Sequence, residues 1–194
     1  MKHKKGFAAV LLTLIISALL SVSAFAASDR FSDVPEASPF YESVTYLAGQ
    51  GITYGTGNGR YAPDTPITVR QWATMICRAF DKEDALSDPA GYGGDACINQ
   101  GYADGWLNLP AMAAPDSRLC RYAIYESGFA AFDIALYSSQ LYPDGEALSS
   151  QDNAFHAAVS FGLCEDTCAG TDIITRGEAA DLLYALLTGE FTVA

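Results

Sequence analysis

The chain has 194 residues, half of them apolar, and a formal net charge of −12. Three of its eleven basic residues and none of its acids lie in the first 26 positions, so the remainder holds eight basic and 23 acidic side chains, a net charge of −15. That balance excludes nucleic acid and anionic membrane surfaces as partners and favours solubility. It leaves a ligand held in a pocket undecided, because exposed charges are screened beyond ~8 Å at physiological salt.

Residues 1–26 read as a secretory signal. Lys2, Lys4 and Lys5 form a cationic start, an apolar run extends from Phe7 to Leu20, and Ala24-Phe25-Ala26 supplies the A-x-A pattern of a cleavage site. Cleavage after Ala26 is expected. The competing reading is an uncleaved anchor, since the run approaches the ~20 residues that span a bilayer; the polar Ser28-Asp29-Arg30 favours cleavage. No later segment is apolar for long enough to cross a membrane.

The first unit, residues 27–82, opens with Phe31-Ser32-Asp33-Val34-Pro35. Apolar groups at 40, 44, 47 and 48 then predict a helix with one buried face. Gly51 can stop it, and Gly55, Gly57 and Gly59 mark a tight loop that needs positive φ. Thr68 is a good N-cap for a second helix, in which Trp72, Met75, Ile76 and Ala79 form the buried stripe.

Residues 83–142 read as a linker, Glu83 to Asp95, followed by a degenerate copy of the same plan. Ile98, Tyr102 and Ala103 precede Gly105-Trp106-Leu107, Pro115-Asp116 echoes Pro63-Asp64, and Ile124, Gly128, Phe129 and Phe132 carry a second helix. Cys120 stands at its cap and cannot act as a threonine does, which predicts a less well defined start.

Residues 143–194 repeat the plan again, after a turn at Tyr142-Pro143-Asp144-Gly145. Phe155, Ala158, Val159 and Leu163 give a first helix ending near Gly162. Thr175 with Glu178 three residues on is a capping box opening a second, with Ala179, Leu182, Leu183, Ala185 and Leu186 behind it.

Five cysteines, at 77, 97, 120, 164 and 168, are too few and too odd for a disulfide framework, and at least one stays unpaired or pairs between chains. Cys164-x3-Cys168 lacks a second pair of zinc ligands. No G-x-S-x-G element, no Ser/His/Asp grouping and no EF-hand loop is present. His156 is the single histidine beyond the signal, and 23 acids always permit an imagined pair, so the chain reads as a non-enzyme without cofactor or metal.

These residues resemble the S-layer homology (SLH) domains of bacterial surface proteins. F-S-D-V-P, F-Y-E-S-V-T-Y-L-A-G-Q-G-I and G-T-G-N-G-R-Y-A-P-D-T-P-I-T follow the family order in the first unit, and Ile174 to Glu178 is the family's I-T-R-G-E signature in the last. The resemblance implies an all-α protein of three helix-loop-helix units in a pseudo-threefold arrangement around a helical bundle, with grooves between units. It also implies non-covalent anchoring to secondary cell-wall polysaccharide linked to peptidoglycan, a polymer that often bears acidic pyruvyl groups. The location would be secreted and cell-wall bound.

The resemblance carries a polysaccharide-binding role to Arg176 with Thr175, and to Arg121. In unit one Val69 takes the arginine position, and Arg70, one residue late, is rotated by ~100° on the helix. Tyr41 is a candidate sugar platform. Physically, a helix N-terminus offers N–H donors and partial positive charge, and arginine adds a planar fork for a carboxylate. Against this stand structural roles: caps for Thr68 and Thr175, an ion pair with a neighbouring unit for Arg176, core packing for Tyr41, Tyr46 and Trp72, and a turn role for Asp33. Two other functions stay open: an SLH-derived scaffold or partner-binding surface protein that no longer binds polysaccharide, and a truncated wall hydrolase. A protein partner is compatible with the first of these.

Overall fold

In the computed structural model the chain divides into Met1–Arg30 and Phe31–Ala194. Residues 31–80, 93–108, 114–136 and 149–191 are described; the signal-type segment and the turn at 142–145 lie outside them. Among the described residues the secondary structure is six helices, and none is long and apolar enough to cross a membrane. They are α1 Tyr41–Gly49, α2 Val69–Ala79, α3 Gly93–Asp104, α4 Arg121–Ala131, α5 Ser150–Ser160 and α6 Arg176–Thr188. The chain is all-α, as expected. One boundary needs correction: Gly93, Gly94 and Asp95, read as the end of a linker, open α3.

Local chemistry sets the starts and stops. Thr68 caps α2 by accepting from Gln71 N at 3.3 Å, while Gln71 Oε1 accepts from Thr68 N, so the start is a full capping box and not a lone threonine cap. Thr175 and Glu178 form the expected box on α6. Ser149, which no apolar pattern announced, caps α5 through Asp152 N. After α1, α3 and α5 come Gly51, Gly105 and Gly162, with φ of 75°, 78° and 70°. A side chain there would be strained, so glycine ends each of these helices at no steric cost.

The segments leading into α2, α4 and α6 meet in a closed ring. Ile67 N donates to Ile174 O at 3.1 Å, Ile174 N to Leu119 O at 3.0 Å, and Leu119 N to Ile67 O at 3.1 Å. All three side chains are buried beneath the ring. Around it α2 packs on α3, α4 on α5, and α6 on α1, so the last helix closes onto the first. The core runs through all of these contacts, from Leu47 and Tyr61 to Trp72, Ile124, Phe129 and Leu183. Trp72 also donates from Nε1 to Ser127 Oγ at 2.7 Å, which ties α2 to α4 without leaving a buried donor unmet.

Candidate functional site

The ring determines what the helix starts can offer. Each of α2, α4 and α6 gives its first two N–H groups to carbonyls of a distant loop. Val69 N and Arg70 N bond Ser117 O and Pro115 O, Arg121 N and Tyr122 N bond Asp172 O and Gly170 O, and Arg176 N and Gly177 N bond Thr65 O and Pro63 O, all at 2.8–3.0 Å. The third N–H of α2 and of α6 goes to its threonine cap. These N-termini are therefore spent on main chain, which corrects the expectation that they present free donors to an anion. The same bonds define the start of α4, whose Cys120 makes no side-chain cap.

Arg176 lies in the seam between α6 and the loop before α2. It is 4% exposed, its Nε donates to Tyr61 O at 2.8 Å, and its guanidinium lies 4.6 Å over the Tyr61 ring. The Tyr61 hydroxyl donates back to Arg176 O at 2.9 Å. No carboxylate of the described residues pairs with it. Burial pulls its pKa below the ordinary arginine value, against the opposing influence of Tyr61 and Asp33. The loop it covers is clamped by Asp33, whose carboxylate accepts from Tyr61 N at 2.8 Å, Ala62 N at 2.9 Å and Arg60 Nε at 3.3 Å. Burial would raise the Asp33 carboxyl, but these bonds outweigh it and hold it below its usual value. That clamp holds Ala62 at φ 60°, a conformation alanine rarely adopts. Asp33 is thus a loop-organising residue, as expected.

Arg70 is engaged elsewhere. Its Nη1 pairs with Asp95 on α3 at 2.6 Å and its Nε with Asp116 at 3.3 Å, fastening α2 to its neighbours.

The seam between α4 and α6 is open. A cavity of about 540 Å³ lies there, walled by Arg121, Tyr125, Leu163, Cys164, Leu182 and Ala185 among others, with Glu165, Cys168, Glu178, Asp181 and Glu190 completing it. Arg121 Nη2 pairs with Glu178 Oε1, and Nη1 donates to Cys164 Sγ at 3.9 Å. Its buried Nε has no hydrogen-bond partner; Asp172 stands 4.0 Å away, too far for a bond. Burial would raise the Glu178 carboxyl, yet the Thr175 N–H and hydroxyl, and then Arg121, hold it below its usual value. Asp181 shifts the other way: burial pushes it up, the Glu178 charge adds to that, and a hydrogen bond from Ser43 offsets only part. Burial foremost pushes the Tyr125 phenol up, so it stays protonated and donates to Leu163 O at 3.1 Å.

Thr175 thus reaches Arg121 through Glu178, but Thr175, Arg176, Arg70 and Tyr41 do not wall the cavity. Tyr41 is half-buried against the core on α1. The cavity residues that sequence reasoning missed are Tyr125, Glu165, Asp181 and Glu190, while Cys164 was weighed only as a metal ligand. Tyr125 follows Arg121 by four and Asp181 follows Glu178 by three, so each shares a helix face with a residue that was singled out. One arginine, already paired, faces four carboxylates. Such walls repel an acidic group and accept hydroxyl donors, with Tyr125, Leu163 and Leu182 as apolar surface.

The model of the S-layer homology domain family matches residues 30–68. The chain carries an S-layer homology domain. That segment runs from the Asp33 clamp through α1 to the Thr68 cap, so the SLH match takes in Tyr41 and ends just short of Arg70. Over 84 residues the chain is 32% identical to a protein of Thermoanaerobacter kivui described as "Cell surface protein". That match covers 43% of this chain and 11% of the relative.

Proposed function

We propose that the chain is a non-catalytic cell-surface protein that anchors itself to the wall by binding secondary cell-wall polysaccharide. The observation that carries this reading is the SLH domain at residues 30–68, a domain whose general role is wall attachment. The three helix pairs are read as three SLH-type units, residues 27–82, 83–142 and 143–194, preceded by a cleaved signal. The α4–α6 cavity is the seat of the ligand. Its volume suits one or two sugar rings, its carboxylates accept hydroxyls, and Arg121 with Tyr125 lies at its wall. The chemistry favours a hydroxyl-rich stretch of polymer over an acidic substituent. Thr175 acts here through Glu178, while Arg176, Arg70 and Tyr41 support the frame.

One observation favours a second reading, a scaffold that binds a protein partner. The helix-start donors are occupied, and Arg70 and Arg121 are both paired with acids. A pull-down of residues 27–194 with sacculi, before and after removal of the secondary polymer, separates the two. Binding that vanishes with the polymer, is competed by the purified polymer and weakens in the exposed cavity variant Glu165→Gln supports the anchor. Absence of binding by folded protein to intact sacculi replaces it with the scaffold.

A further inference from the structure

We infer that four of the five cysteines form two disulfides, Cys77–Cys97 and Cys164–Cys168, and that Cys120 remains a thiol. The inference rests on the surface location proposed above, since disulfides persist outside the cytoplasm.

Cys77 on α2 and Cys97 on α3 belong to two helices packed along each other, and both are buried, at 1% and 0% exposure. The two side chains interact, with a hydrogen bond from Cys77 favouring the Cys97 thiolate, and both are free thiols in this structure. A buried thiol packs as a small hydrophobe; closing this pair requires the two sulfurs to come to bonding separation, about 2 Å. Cys164 and Cys168 flank a tight turn, closed by Cys168 N donating to Glu165 O at 3.2 Å. Their side chains also interact by a hydrogen bond, both are free thiols in this structure, and both line the α4–α6 cavity. Cys120 is half-buried at the central ring, where its main chain pairs with Ile173, and it lies on neither of the two elements that bring the other cysteines together. The odd count is thereby accounted for.

Each bond forms by exchange with a small-molecule or protein disulfide outside the cytoplasm. One cysteine thiolate attacks a donor sulfur and releases one donor thiol. The second cysteine then attacks the mixed disulfide and releases the other, so two electrons and two protons pass to the donor. The buried pair must close as α2 and α3 dock. The Cys164–Cys168 pair, half-buried at the cavity, stays open to reagents in the folded protein.

The test folds residues 27–194 in a reduced/oxidised glutathione buffer, alkylates under denaturing conditions without reduction, and reads intact mass and cross-linked peptides. The expected result is one alkylated cysteine, Cys120, with 77–97 and 164–168 cross-links. Mild reductant applied to the folded protein should then free Cys164 and Cys168 for alkylation, with Cys77 and Cys97 released only on unfolding. Five alkylated cysteines, only one of the two bonds, a cross-link through Cys120, or one joining the two pairs overturns the inference. This assay does not involve the wall, so a failure to bind sacculi leaves it standing. Correct bonds in vitro but five reactive thiols on protein recovered from cells would instead remove the surface location.

Discussion

Arg121, the first residue of α4, pairs with Glu178 in the first turn of α6, and the same Glu178 closes the capping box of its own helix. One carboxylate thus serves as a helix cap and as the link between two helices, through a pair 57 residues apart in sequence. Removing Arg121 leaves Glu178 half-buried with its charge unmatched, so Arg121→Ala should cost about 2 kcal/mol of stability. Glu178→Gln keeps an oxygen for the Thr175 N–H and should cost less. Urea denaturation of both single variants and the double variant checks this, with a coupling energy of about 1 kcal/mol or more between the two sites expected.

Acid should act on this seam through two carboxyl groups whose pKa values are shifted in opposite directions. Glu178 is held below its unfolded value, so its contribution is present above the unfolded carboxyl range and is lost as pH falls through its folded value. Asp181 is raised, so the folded state disfavours its ionisation, and stability falls as pH rises from its unfolded to its folded value. Asp181→Asn retains an acceptor for Ser43 and removes the buried charge. The variant should therefore be more stable than wild type at neutral pH, with the difference shrinking as pH drops below the folded Asp181 value. Thermal melts across pH 3–8 would show it; a constant difference would refute it.

What was legible in the residues was what neighbours in sequence decide. Thr175 and Glu178 had to form a box because cap and carboxylate sit three apart, and the glycine at 51 had to end a helix because the chain must turn there. Individual helices were legible in the apolar spacing, and the all-α class was what the family resemblance implied. Arg176 was legible as a helix-start residue but not as a partner of Tyr61, which is 115 residues distant. The loss of the helix-start donors was hidden for the same reason, since they are taken by carbonyls from another part of the chain. The cavity depends on α4 and α6 meeting, and no local pattern in either helix announces that.

The cap of α4 is the weak point of the ring. Thr68 and Thr175 each satisfy the third N–H of their helix, whereas Cys120, in the same extended conformation, makes no side-chain bond. Cys120→Thr supplies the missing hydroxyl without changing the backbone and should add about 1 kcal/mol. It also removes the one cysteine assigned as a thiol, so the pairing of the other four should be unaffected. Chemical denaturation and thiol counting on the same variant test both statements.

Arg176 and its neighbour Gly177 yield the sharpest contrast between frame and ligand contact. A methyl group at Gly177 would fall 2.5 Å from the Phe40 ring, so Gly177→Ala should cost about 1–3 kcal/mol through forced displacement of that ring. Tyr61→Phe removes only the hydroxyl bond to Arg176 O and should cost about 1 kcal/mol. Arg176→Ala uncovers the Tyr61 ring and deletes the bond to Tyr61 O, with an expected loss of about 2 kcal/mol. If Arg176 belongs to the frame, sacculus binding per folded molecule should be unchanged in all three variants. A loss of binding in Arg176→Ala alone, at full folding and with Tyr61→Phe unaffected, would return Arg176 to the ligand.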